Sequence, residues 1–139
     1  MKQKKIKNER GQAMVEFAIV LPFLLLILCG ILDFGWIYYN KYMVEDASYQ
    51  GARYAFVAEA KQQAMNPAAT VDAGKLEDDT EKYVKSEFFN NSSSASVDVV
   101  VSSDKVTVTV ENQIDCLTFV GQTFFGKKYN ATSKSVASK

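Results

Sequence analysis

The chain has 139 residues, room for one modest domain and one membrane segment, so a second independent domain is not expected. Its 16 basic and 16 acidic residues cancel overall, yet Lys2, Lys4, Lys5, Lys7 and Arg10 face only Glu9 within residues 1–11, a local charge of +4 that leaves −4 on the rest. An acidic remainder argues against nucleic acid as a partner, and the absence of histidine removes the commonest general base and the commonest zinc ligand.

The first predicted element is a membrane-spanning helix. Residues 17–32, FAIVLPFLLLILCGIL, carry no charge, and flanking apolar residues extend the stretch past the roughly 20 residues that a bilayer requires, with Glu16 and Asp33 near its ends. A core helix of a soluble domain rarely stays apolar on every face for so long. The basic head before the span and Asp33 after it place the N-terminus in the cytoplasm by the positive-inside rule and send the C-terminal part across. Asp33, Trp36, Tyr38 and Tyr39 then mark the outer membrane interface. A cleavable secretory signal is disfavoured, because no A-x-A site follows and DFGWIYYNKY is too bulky for signal peptidase. A lipoprotein signal ending at Cys29 would need a small residue where Leu28 stands. Pro22 removes one backbone hydrogen bond within the span.

The junction Arg10-Gly11-Gln12-Ala13-Met14-Val15-Glu16-Phe17 resembles the type IV prepilins, in which a basic leader ends in glycine and a lone glutamate follows five positions on. The resemblance implies a processing site between Gly11 and Gln12, cut by a prepilin peptidase, and an assembly role for Glu16 as the acid that answers the new α-amine of a neighbouring subunit. A carboxylate in a membrane helix is costly unless it is paired or reaches water. Gln12 and Glu16 stand four apart and can also pair within one helix, and the blander alternative has Glu16 reaching back to water at the interface. Over about the first fifty-six residues the chain resembles more closely the TadE-like proteins, minor pseudopilins of tight-adherence pili. Gly11, Val15-Glu16-Phe17-Ala18, Leu21-Pro22, Gly30-Ile31-Leu32-Asp33-Phe34-Gly35 and Gly51-Ala52-Arg53 carry that resemblance by their order and spacing.

Beyond the interface the helix is expected to run on to about Ala60, with Ala47, Gly51 and Ala55 forming a stripe of small residues suited to packing inside the head or, as a second use, to an assembly contact. Asn66-Pro67 reads as a break. Leu76, Tyr83, Val84 and Phe88 then predict a second amphipathic helix, on whose solvated face Glu77, Asp78, Asp79 and Glu81 crowd. Asn90 to Ser94 reads as a polar loop. Val97, Val99 and Val101 predict one strand and Val106, Val108 and Val110 a second, joined in a hairpin at Ser103-Asp104, with a third strand around Lys127 to Val136. Cys116 reads as a small buried residue that forms no bridge with Cys29, and Phe119, Phe124, Phe125 and Tyr129 as loop aromatics packed on the core, or a partner surface if exposed.

The expected fold is therefore α+β and pilin-like: a basic leader (1–11), a transmembrane helix (12–39) and an extracytoplasmic head (40–139) with a second helix and a roughly three-stranded antiparallel sheet. No Gly-rich phosphate loop, nucleophile elbow or HExxH motif appears, so no catalytic residue, metal or cofactor is assigned. The functional expectation is a single-pass protein of the cytoplasmic membrane of a bacterium, a TadE-like minor pilin or pseudopilin. Its partners would be a prepilin peptidase, other pilin or pseudopilin subunits with their assembly machinery, and the lipid bilayer. The alternative is an uncleaved, membrane-anchored binding or adhesion module.

Overall fold

The computed structural model describes residues 9–67, 70–90, 94–102 and 104–138; the lysines of the basic leader, most of the polar loop after Asn90 and Ser103 of the hairpin turn lie outside the described residues. Helix α1 runs from Glu9 to Met65 without interruption, with Pro22 inside it. At 1.5 Å per residue it is about 85 Å long, more than twice the thickness of a bilayer core. It ends five residues later than expected, and Asn66 closes it with an N–H bond to the Gln62 carbonyl.

Helix α2, Ala73–Phe89, opens on Asp72, whose carboxylate accepts from the Lys75 N–H at 3.2 Å. It closes on Asn90, which takes the left-handed conformation at φ 46° and returns its N–H to the Lys85 carbonyl. Its buried line is Leu76, Thr80, Val84 and Phe89, with Tyr83 and Phe88 only half-buried. Phe88 packs against the core as helical spacing suggested, and Phe89 beside it is the more deeply buried of the two. The acidic cluster on this helix is not all solvated. Glu77 accepts the Val101 N–H at 3.1 Å and Glu81 pairs with Lys85, leaving Asp78 outermost.

Strands β1 (Ala95–Val101), β2 (Lys105–Asp115) and β3 (Lys128–Ser138) form an antiparallel sheet in the order β1-β2-β3. The valines meet as the alternation requires, Val97 opposite Val110, Val99 opposite Val108 and Val101 opposite Val106. Strand β2 continues past its valines through Asn112 and Ile114, both buried. Between β2 and β3 stands α3 (Phe119–Phe125), capped by Thr118, whose hydroxyl accepts from the Gly121 N–H at 3.2 Å.

The core lies between the sheet and the distal half of α1, with α2 beside it, and centres on Val44, Ala47, Ala52, Ala55, Val84, Val106, Val108 and Val110. The small-residue stripe is packed inside the head. A Cβ on Gly51 would lie 2.8 Å from a Val84 methyl and 3.2 Å from a Val108 methyl, so the helix sits as close as a bare backbone allows. The facing side of β3 is small for the same reason: Ala131 is buried, and Ser133 and Ser135 each lie 3.0 Å from the Ser48 hydroxyl, Oγ to Oγ.

Candidate functional site: the stem and its junction with the head

Most of the proximal half of α1 stands clear of the head, which meets it where α3 lies beside Leu26, Gly30 and Asp33. This half contains a strongly apolar 18-residue window with no part buried inside the protein. Phe17, Ile19, Phe23, Leu24, Leu25, Leu26, Ile27 and Leu28 are all exposed, on every side of the helix. A continuous apolar surface of that size has no stable place in water, whereas a helix satisfies its own backbone hydrogen bonds and is one of the two structures that can cross hydrocarbon. One long apolar helix of this kind fits a single-pass membrane protein.

Gly11 lies in the first turn of α1 in open space, with nothing within 4 Å of where a Cβ would stand. The Gln12 side-chain amide donates to the Glu16 carboxylate at 3.3 Å, so the pairing four residues apart is made within the helix, on an exposed face. At the other end of the span Phe34 stacks on Tyr38, with centroids 6.4 Å apart, and Trp36 on Tyr39 at 6.3 Å. Trp36, Tyr38 and Tyr39 are exposed, as rings at a headgroup boundary would be.

Asp33 differs from these aromatic neighbours. It is fully buried, because α3 docks on it: the Thr118 N–H donates to its carboxylate at 2.8 Å and the Thr118 hydroxyl donates to the other oxygen. Gly121 makes that approach possible, since a Cβ there would collide with the Asp33 carboxylate. An acid that the sequence marks only as the end of the span is therefore also the bolt between span and head. Its partner lies 85 residues away, so no local pattern could have announced it. Next to this junction Cys116 is buried and donates through its thiol to the Gly126 carbonyl at 3.3 Å. Burial, with the Asp33 and Asp115 carboxylates near, pushes that thiol above its ordinary range. Both cysteines are free.

The aromatic segment corrects an expectation. Residues 119–125 form a helix rather than a loop, and Phe119 and Phe124 are 82% and 74% exposed rather than packed on the core. Signals for a helix existed in Thr118 as N-cap and Gly126 as terminator at φ 85°, but a seven-residue element is too short for periodicity to show.

Residues 11–53 match the model of the family described as TadE-like protein. The stem of this chain is TadE-like. The matched segment holds Gly11, Gln12, Glu16, Asp33 and the aromatic belt, and it extends through Gly51 into the packed half of α1. The TadE-like family is a pilus-associated, structural kind of protein. No curated protein and no solved structure gives a significant match to this chain.

Proposed function

We propose that this chain is a membrane-anchored minor pilin or pseudopilin of a tight-adherence pilus, composed of a leader (1–11), a span (12–39) and an extracytoplasmic head (40–139). The observation that carries the reading is the exposed apolar half of α1 bearing Glu16 near its start, within a TadE-like match that begins at Gly11. In this reading the leader stays in the cytoplasm and a prepilin peptidase hydrolyses the bond between Gly11 and Gln12, using carboxylates of its own. The bond lies in helix here, so the peptidase must first unwind it. Glycine lowers that cost by about 1 kcal/mol relative to alanine and lets the strand approach closely.

Cleavage frees an α-amine on Gln12, and Glu16 is placed to answer the amine of an adjacent subunit once it leaves its present partner, the Gln12 side chain. Assembly is then interaction and not catalysis: stems stored in the bilayer exchange lipid for one another. Trp36, Tyr38 and Tyr39 hold the stem at its depth until that exchange. The unbroken helix through Gly11 favours a second reading, an uncleaved anchored binding or adhesion module.

Intact mass of the chain produced with a prepilin peptidase separates the two. Loss of residues 1–11 supports the pilin reading, and an intact leader supports the anchored module. Glu16→Ala is expected to be cut normally and to assemble poorly. Assembly equal to wild type would remove Glu16 from the mechanism.

A further inference from the structure

We propose that α3, together with Leu117, is a foot by which the head stands in the lipid leaflet on its own side of the membrane. The inference rests on α1 spanning the bilayer. Its first support is position. A cleft of about 310 Å³ between α1 and α3 is lined by Leu26, Gly30, Val120, Gly121 and Phe124, so α3 lies beside the apolar run and not above it. Leu26 precedes Asp33 by seven residues, which on a helix sets the cleft up to about 10 Å toward the bilayer centre from that carboxylate, the depth at which interfacial helices lie. The belt of Trp36, Tyr38 and Tyr39 lies farther along α1 than Asp33, on the head's side of it.

Chemistry is the second support. Leu117, Phe119 and Phe124 are 60%, 82% and 74% exposed, a concentration of large apolar groups that water disfavours and acyl chains accept. Residues 116–126 carry no charge, and Lys127 and Lys128 follow at once, cations suited to lipid phosphates. The segment is also prepared for a medium poor in water: Thr118 caps α3, and the Asp33 carboxylate takes both the Thr118 N–H and the Thr118 hydroxyl. The cleft is continuous with the lipid-exposed surface of the span at Leu26, so an acyl chain can enter it from the side.

The test places a single tryptophan in the full chain, using Trp36→Phe to remove the native one, and reconstitutes it in phosphatidylcholine vesicles with brominated acyl chains. Phe124→Trp reports on the foot, Leu24→Trp on the span and Val100→Trp on the exposed side of β1; Phe119→Trp repeats the measurement at a second exposed ring. Quenching at Phe124→Trp at least about threefold that at Val100→Trp, alongside strong quenching at Leu24→Trp, is the expected result. The proposal is overturned if Leu24→Trp is quenched while Phe124→Trp and Phe119→Trp behave like Val100→Trp. A concentration-dependent blue shift in place of quenching would show a second protein copy covering the face, and equal quenching at every site would show a head lying wholly in lipid; either also overturns it. Absence of quenching at Leu24→Trp would remove the span itself, and the foot with it.

Discussion

From Phe17 to Leu32 helix α1 turns Val, Ile, Leu and Phe outward on every side, whereas from Val44 to Phe56 it lays Val44, Ala47, Ser48, Gly51, Ala52 and Ala55 against the head and leaves Tyr49 and Phe56 outside. One helix thus meets two solvents. Lipid has no shape to match, so it selects bulk and apolarity all round. A sheet has a fixed surface, so it selects small residues on one face and permits almost anything on the other. Side-chain size, rather than hydrophobicity alone, separates the anchoring half from the packing half.

The largest effect should come from making the packing half resemble the anchoring half. Gly51→Leu drives a branched side chain into Val84 and Val108, and is expected to cost the head about 3 kcal/mol or to prevent its folding. Leu24→Ala, at an exposed site of the span, should leave head stability within about 0.5 kcal/mol of wild type. Denaturant titration in detergent, followed by near-UV signals of the head, compares the two, and equal losses would break the contrast. Val108→Ala opens a void where the sheet meets α1, and its expected cost is about 2 kcal/mol in the same titration.

Asp33→Ala probes the border between the halves. It strips the Thr118 N–H and hydroxyl of their acceptor and should cost about 1 to 3 kcal/mol, confined to α3, seen as faster hydrogen exchange at 117–121 with β2 unchanged. Exchange that quickens equally throughout the sheet would mean that α3 and the sheet open as one unit. The smallest effect concerns Cys116. Its thiol ionises less readily in the folded chain than in the unfolded one, so the unfolded state releases the proton first, and the contribution of Cys116 to stability is lost as pH rises past the ordinary thiol value of 9.0. Wild type should therefore lose stability relative to Cys116→Ala above that pH and not below it, and parallel pH profiles would refute the assignment.

Much of this architecture was legible because its signals are local and strong. Sixteen uncharged residues ahead of Asp33, alternating valines in 97–110 and the Asn66-Pro67 break each announce an element within a few residues. Strand β3 was harder to read, and the reason is the stripe it faces. Because α1 approaches so closely, the inward positions of β3 hold Ala131, Ser133, Ser135 and Ala137 instead of valine, and the hydrophobic alternation fades. The same holds for the junction. The partnership of Asp33 with Thr118 and the space provided by Gly121 belong to tertiary structure, and nothing within a short window of either residue encodes it. Gly11, Gln12 and Glu16 stand out through the resemblance to type IV prepilins, and the four-residue spacing of Gln12 and Glu16 sets their pairing through helical geometry alone.

The unbroken run of α1 from Glu9 to Met65 has a mechanical consequence. With no hinge between bilayer and head, and with Thr118 clamped to Asp33 at the point where a hinge would be most useful, the molecule behaves as an axle with a fixed cam. On the proposed pilin reading, torque or lift applied to the span would reach the sheet through one continuous helix.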